Sequence, residues 1–322
     1  MTAITTGAGA AQYDNRLVFA EQLIELARVD DRIVAVCNDS VGSSNLGAFR
    51  QEFPDRLINV GIAEQDMVGV GAGLAASGLV PFVCGAAPFL TGRSLEQVKA
   101  DVAYSQHPVI LCGMSPGFAY GELGPTHHSV EDLSWLRPLP GLDIVVPADR
   151  RQTRQAVLSA VAAPRPTYIR VGRTKVPDVT VEGDELVRGR FNVARTGDDV
   201  TLIGTGTTVA VCLAAAEHLA ATGVSARVLN AAYVAPLDVA AITAAAAQTG
   251  AIVTVEEANT AGGLGAAVAG VVVTLPRSSR VPMRLCGLTD FAPTGSADYL
   301  MQHFGLTPAA VASAAREALA DA

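Results

Sequence analysis

Asn59-Val60-Gly61-Ile62-Ala63-Glu64-Gln65-Asp66-Met67 runs directly into Val68-Gly69-Val70-Gly71-Ala72-Gly73-Leu74. This is a strand end, a glycine turn and then a helix predicted over Glu64–Ser77, with a short apolar strand at Val80–Val83 behind it. Each interior glycine costs a helix roughly 1 kcal/mol against alanine. Gly69, Gly71 and Gly73 are therefore expected where another backbone comes close, as at a tight subunit contact. Glu64 falls in the first turn of an otherwise apolar helix. Taken alone, it reads first as a surface carboxylate matched to the helix dipole.

The same rhythm extends on both sides. Apolar residues at helical spacing mark Arg16–Arg28, and Ile33–Cys37 is a β-branched run of the kind buried on both faces of a sheet. Leu95–Tyr104 is predicted helical, Val109–Cys112 and Ile144–Val146 extended, Gln152–Val161 helical and Thr167–Val171 extended. Short apolar strands alternating with helices indicate an α/β fold with a parallel sheet covered on both sides. Pro177–Gly189 then turns polar, acidic and irregular, as an inter-domain linker would. After it the alternation restarts: strands at Val200–Ile203, Ala226–Asn230 and Ile252–Val255, helices at Val209–Thr222, Val239–Gln248 and Leu264–Val273, and a last helix near Pro308–Leu319. Two parallel-sheet domains follow, 13–178 and 190–322, joined by 179–189; Met1–Gln12 reads as a frayed end.

The 322 residues exceed the roughly 100–200 of one domain, and a 50% hydrophobic, 17% charged composition supports large cores. A net charge of -8 and a pI near 5.1 argue against nucleic acid or an anionic membrane as partner. Cys37, Cys84, Cys112, Cys212 and Cys286 are scattered without a Cys-x-x-Cys pair, so buried free thiols are expected. With no basic-then-apolar leader and no run of about 18 apolar residues, the chain reads as soluble and cytoplasmic.

A second segment with chemical potential is Gly121-Glu122-Leu123-Gly124-Pro125-Thr126-His127-His128. It follows the Val109–Cys112 strand, at the carboxyl edge where ligands of parallel sheets bind. Its adjacent histidines are open to catalysis, substrate contact or loop stiffening. As metal ligands they are poor, because neighbouring side chains diverge and no third ligand stands at a familiar spacing. Gly204-Thr205-Gly206 lacks the third glycine and the following acidic residue of a dinucleotide site, and reads as a tight turn.

Together these segments resemble the transketolase family over nearly the whole chain and in the family's order. Arg16–Pro177 is similar to its pyrimidine-binding domain, with Gly61–Gln65, Gly121–His127, Pro147–Asp149 and Tyr168–Arg173 as landmarks. Thr201–Leu319 is similar to its C-terminal domain, with Glu256-Glu257 and Gly262–Gly265. The resemblance implies thiamine diphosphate as cofactor. It makes Glu64 the carboxyl that bonds the aminopyrimidine ring, which requires burial to outweigh the helix N-terminus in setting its acidity. Phe89 becomes the aromatic stacked on that ring, Ile62 and Arg93 further cofactor contacts, and His127 the histidine near the donor's reacting carbons. Arg16, Ser44, Ser115, Arg170 and Arg173 fall at or beside positions that hold a substrate phosphate, a task suited to a forked guanidinium.

Three departures from the family pattern stand out: Leu123 replaces an aspartate that reads the acceptor hydroxyl, Ser115 a phosphate-holding histidine, and Ala86 one of two phenylalanines beside the cofactor ring. A less polar or unphosphorylated acceptor is one expected result. The Mg²⁺ that grips the cofactor diphosphate requires a Gly-Asp-Gly…Asn segment. Neither Gly183-Asp184-Glu185 nor Gly197-Asp198-Asp199 fits it. The implied assembly is an α2β2 pair with a diphosphate-binding subunit carrying the metal ligands. The implied activity is transfer of a two-carbon ketol unit from a ketose or ketose phosphate to an aldehyde. The alternatives are a pyruvate-using carboligase, the β subunit of a 2-oxoacid dehydrogenase, and a non-catalytic scaffold subunit.

Overall fold

The computed structural model describes residues 11–322. The expected frayed end lies outside them except for Ala11 and Gln12, and Gln12–Tyr13 forms a short strand, β1. The first half continues with β2 (Ile33–Cys37), β3 (Leu57–Asn59), β4 (Val80–Ala86), β5 (Ile110–Met114), β6 (Asp143–Val145), β7 (Thr167–Val171) and β8 (Val176–Pro177). The second half adds β9 (Asn192–Arg195), β10 (Val200–Gly204), β11 (Ala226–Asn230), β12 (Tyr233–Ala235), β13 (Ala251–Asn259) and β14 (Met283–Leu288).

One sheet has seven strands in the order β12-β6-β7-β5-β4-β2-β3, parallel throughout except for β12. The other has five, β14-β13-β10-β11-β9, with only β9 antiparallel. Strands such as β2, β5, β7 and β10 are buried at every residue, as β-branched runs covered on both faces must be. One face of the larger sheet packs Phe19 and Leu23 with Ala156 and Val157. The other packs Met67, Val68 and Ala72 with Leu133 and Leu136. In the two main sheets, four edge strands escape the apolar periodicity, β3, β9, β12 and β14, and β3, β9 and β14 keep partly exposed residues. Leu95–Tyr104 is helical but widens to a π-helix from Val98 onward.

The helix Glu64–Ala76 lies on β4, and its three glycines fall into two kinds. A Cβ on Gly71 would stand 2.5 Å from Val83 Cγ2, so this glycine lets the helix settle on its own sheet. Gly69 and Gly73 would meet nothing within 4 Å. Intrachain packing accounts for Gly71, whereas Gly69 and Gly73 face outward.

The two halves are tied together. β12, from the second half, hydrogen-bonds β6 of the first. Asp149 caps the helix Arg150–Ala162 and also accepts from Val179 N, Thr180 N and Thr180 Oγ1, anchoring the start of the linker. Glu257 on β13 accepts from Phe118 N at 2.6 Å and from Thr207 Oγ1 at 2.7 Å. Among the described residues, no helix is long and apolar enough to cross a membrane.

Candidate active site

The carboxyl edge of the larger sheet gathers the side chains that carry chemistry. Asn38 follows β2, and Gly61–Ala63 leads from β3 to Glu64. Phe89 and Arg93 follow β4, Tyr120 and His127 follow β5, and Arg173 follows β7. Their sequence across the site repeats the strand order β3-β2-β4-β5-β7, so the sheet itself sets out the row.

At one end, Glu64 is only 5% exposed. Its Oε1 accepts from Asn38 Nδ2 at 2.7 Å and from Arg93 Nη1 at 2.9 Å. Neither side-chain donor goes to Oε2. Glu64 also lines an open cleft of about 430 Å³ with Ile62, Ala63, Gln65, Asp66 and Arg93. Ile62, 79% exposed, presents a bare apolar side chain to that cleft. The guanidinium of Arg93 lies 4.2 Å from the centre of the Phe89 ring. Phe89 meets His127 edge-on at 5.2 Å, His127 meets Tyr120 at 6.3 Å, and Arg173 stacks over Tyr120 at 5.2 Å. Thr126 Oγ1 lies 2.9 Å from His127 Nδ1 and steadies the ring. Beyond Tyr120 a pocket of about 440 Å³ opens between Phe118–Leu123, Arg173 and Ser296-Ala297.

Burial is the largest influence on the Glu64 carboxyl and pushes its pKa up. Its own backbone N–H, the Asn38 amide and the Arg93 guanidinium together outweigh that and hold it below the ordinary glutamate range. The condition that burial should win is therefore not met by this chain alone, because these donors favour the charged carboxylate.

The remaining residues named from the sequence lie apart from this open row. Arg16 turns its fork onto Asp14, at 3.1 Å and 2.7 Å, and donates to the Ser43 carbonyl. Ser44 is fully buried beside Ser40. Ser115 is buried with a left-handed backbone (φ 57°) and an unpartnered hydroxyl. Arg170 is buried and donates to Asp132, the Ser129 carbonyl and the Glu257 carbonyl. Leu123, His127 and Arg173 do stand at the open loop. Asn38 and Tyr120, which no sequence motif singled out, belong to the row. The only signal for Asn38 was its place as the first polar residue after a buried parallel strand.

Residues 11–179 match the transketolase pyrimidine binding domain, and residues 189–311 the transketolase C-terminal domain. The chain belongs to the transketolase family. Within this family of transferases, it is 47% identical over 304 residues to a subunit of the apulose-4-phosphate transketolase of Phocaeicola vulgatus, covering 94% of this chain and 96% of that protein. It is 41% identical over 303 residues to a 6-deoxy-6-sulfo-D-fructose transketolase subunit of a Clostridium species, covering 94% and 93%. A solved split-gene transketolase, described as an inactive beta4 tetramer, superposes on 97% of this chain and 99% of its own with a TM-score of 0.86 at 35% identity. The transketolase fold thus accounts for both sheets and their order along the chain.

Proposed function

We propose that this chain is the pyrimidine-binding and C-terminal subunit of a split, thiamine-diphosphate-dependent ketol transferase. The observation that carries the reading is Glu64: a sheltered carboxyl, held on one oxygen by two donors, at the wall of an open cleft. The residues present fit the aminopyrimidine end of that cofactor. Glu64 can bond a ring nitrogen, Phe89 can lie against the ring face, and Ile62 and Arg93 can wall the cleft. When bound, thiamine diphosphate supplies the carbanion-stabilising centre. The chain's part is to hold a proton at Glu64, to orient the substrate hydroxyls with His127, and to keep the site dry.

The cleft is half a site, which supports a second subunit closing over it and carrying the Mg²⁺ ligands, in an α2β2 enzyme. Covering the cleft adds desolvation at Glu64 and raises its proton affinity. Relatives that are named as single subunits of their transketolases support the same division of labour. We assign the donor to ketoses and the acceptor to aldehydes. Arg173, exposed and stacked on Tyr120 beside the 440 Å³ pocket, would take an anionic substrate tail. The phosphate and sulfonate sugars in the relatives' names support this choice.

The test is Glu64→Ala in the enzyme assembled from both subunits. Positioned acid–base groups contribute about 10²–10⁴-fold, so ketol transfer is expected to fall by at least about 100-fold while the subunits still associate. Retained turnover would assign the chain a scaffold role. Release of CO₂ from pyruvate by the unaltered enzyme would favour the carboligase chemistry instead.

A further inference from the structure

Behind Glu64 the structure holds a relay of polar side chains that no family landmark includes. Asn38 Nδ2 donates to Glu64 Oε1 at 2.7 Å, and Asn38 Oδ1 accepts from Ser40 Oγ at 2.6 Å. Ser40 Oγ in turn lies 3.4 Å from the buried Ser44 Oγ. The Glu64 carboxylate fixes which way the Asn38 amide faces: ionised, it only accepts, so the NH₂ points at it and Oδ1 is left to take the Ser40 hydroxyl, which could serve either end. A Cβ on Gly85 would come 3.4 Å from Asn38 Oδ1 and 3.2 Å from Met67 Cε, so β4 leaves the amide just enough room.

The backbone on both sides is locked as well. Asn59 Oδ1 accepts from Asp39 N and from Gly61 N, each at 3.0 Å, and Asn59 Nδ2 donates to Asp39 Oδ1 at 3.1 Å. Asp39 and Gly61 both have left-handed backbones, φ 66° and 75°. One side chain therefore clamps the turn that carries Asn38 to the turn that opens the Glu64 helix.

We propose that Asn38 is a positioning residue for the reaction: it orients the Glu64 carboxyl by holding Oε1, leaving Oε2 for the cofactor ring. This rests on the assignment of Glu64 above. Arg93, the charged group in contact with Glu64, reaches it from the helix after β4; Asp39, beside Asn38, is turned to Asn59. The Arg93 side chain is half exposed, whereas the Asn38–Glu64 bond is buried, so the amide is the more rigid of the two holders.

The experiment compares Asn38→Asp and Asn38→Ala by carbon NMR of labelled glutamate in the full chain, using Glu64→Gln to assign the resonance. Kinetics of the assembled enzyme complete the comparison. Asn38→Asp keeps the shape and removes the donor. The Glu64 titration midpoint is expected to move up in both variants, and kcat to fall about tenfold or more with donor KM within about twofold. Ser40→Ala, a milder change, should move the midpoint in the same direction but less. A fall in kcat with an unmoved Glu64 titration overturns the proposal, as does unchanged behaviour in both. If Glu64→Ala itself leaves turnover intact, it is the assignment of Glu64 that fails.

Discussion

Arg170 grips Asp132 at two points, Nε to Oδ2 at 2.8 Å and Nη2 to Oδ1 at 3.1 Å, with both side chains closed to solvent. Tyr168 adds its hydroxyl to the same Oδ2 at 2.7 Å, and Arg170 continues to the Glu257 carbonyl of the second domain. This guanidinium works as a clasp between the loop after β5, strand β7 and β13. Removing one member of a buried pair strands the other charge and costs about 3–5 kcal/mol. Arg170→Met and Asp132→Leu should each lower the unfolding free energy by that order, read from the shift of the urea midpoint. The double variant should cost clearly less than the sum. Additive losses would show that the two residues are not coupled.

The glycines of the Glu64–Ala76 helix should separate sharply. Gly71→Ala forces a methyl against Val83 and is expected to destabilise by about 1–3 kcal/mol. Gly69→Ala and Gly73→Ala meet open space and should stabilise the isolated chain by about 0.5–1 kcal/mol each. Thermal unfolding of the three variants reads this directly. If Gly69→Ala or Gly73→Ala also weakens assembly, the open side of that helix is where another subunit lies.

Glu256 gives a pH dependence of definite sign. Burial pushes its pKa up to about 7, against the opposing pull of the Gly265 and Leu264 N–H groups. The folded chain then binds a proton that the unfolded chain releases near 4.5. This contribution is fully present below the unfolded value and is lost as pH rises through about 7, amounting to on the order of 3 kcal/mol. Chemical denaturation of the unaltered chain should therefore show a decline between pH 5 and 8 that Glu256→Gln flattens. An identical slope in both proteins would remove Glu256 as its source.

Leu123 stands exposed at the pocket that holds Tyr120 and Arg173. Leu123→Asp should shift acceptor preference toward aldehydes with an adjacent hydroxyl, by about tenfold in kcat/KM for one added charged hydrogen bond. The same panel of aldehydes run on both proteins decides it, and unchanged ratios would count against a role for this side chain.

How far the chain's letters carried depended on what kind of signal each residue left. Ile33–Cys37 and Thr167–Val171 appear in the structure with the boundaries their apolar runs predict, because burial on both faces leaves no polar interruption. β3 and β14, wet at the sheet edges, left no such pattern. Family motifs point to Glu64 and His127, which the structure places in one row, whereas none points to Asn38: it meets Glu64 across 26 residues, which no local spacing records. Arg16 shows the limit from the other side. Its partner Asp14 stands two residues away, yet only the folded chain reveals that the fork closes on this helix cap.

The strand Tyr233–Ala235, contributed by the second domain to the first sheet, has a mechanical consequence. Prising the domains apart would break backbone ladder bonds, so more than the linker ties them together. The way into the row is left over its rim, where Ile62 and Leu123 face water.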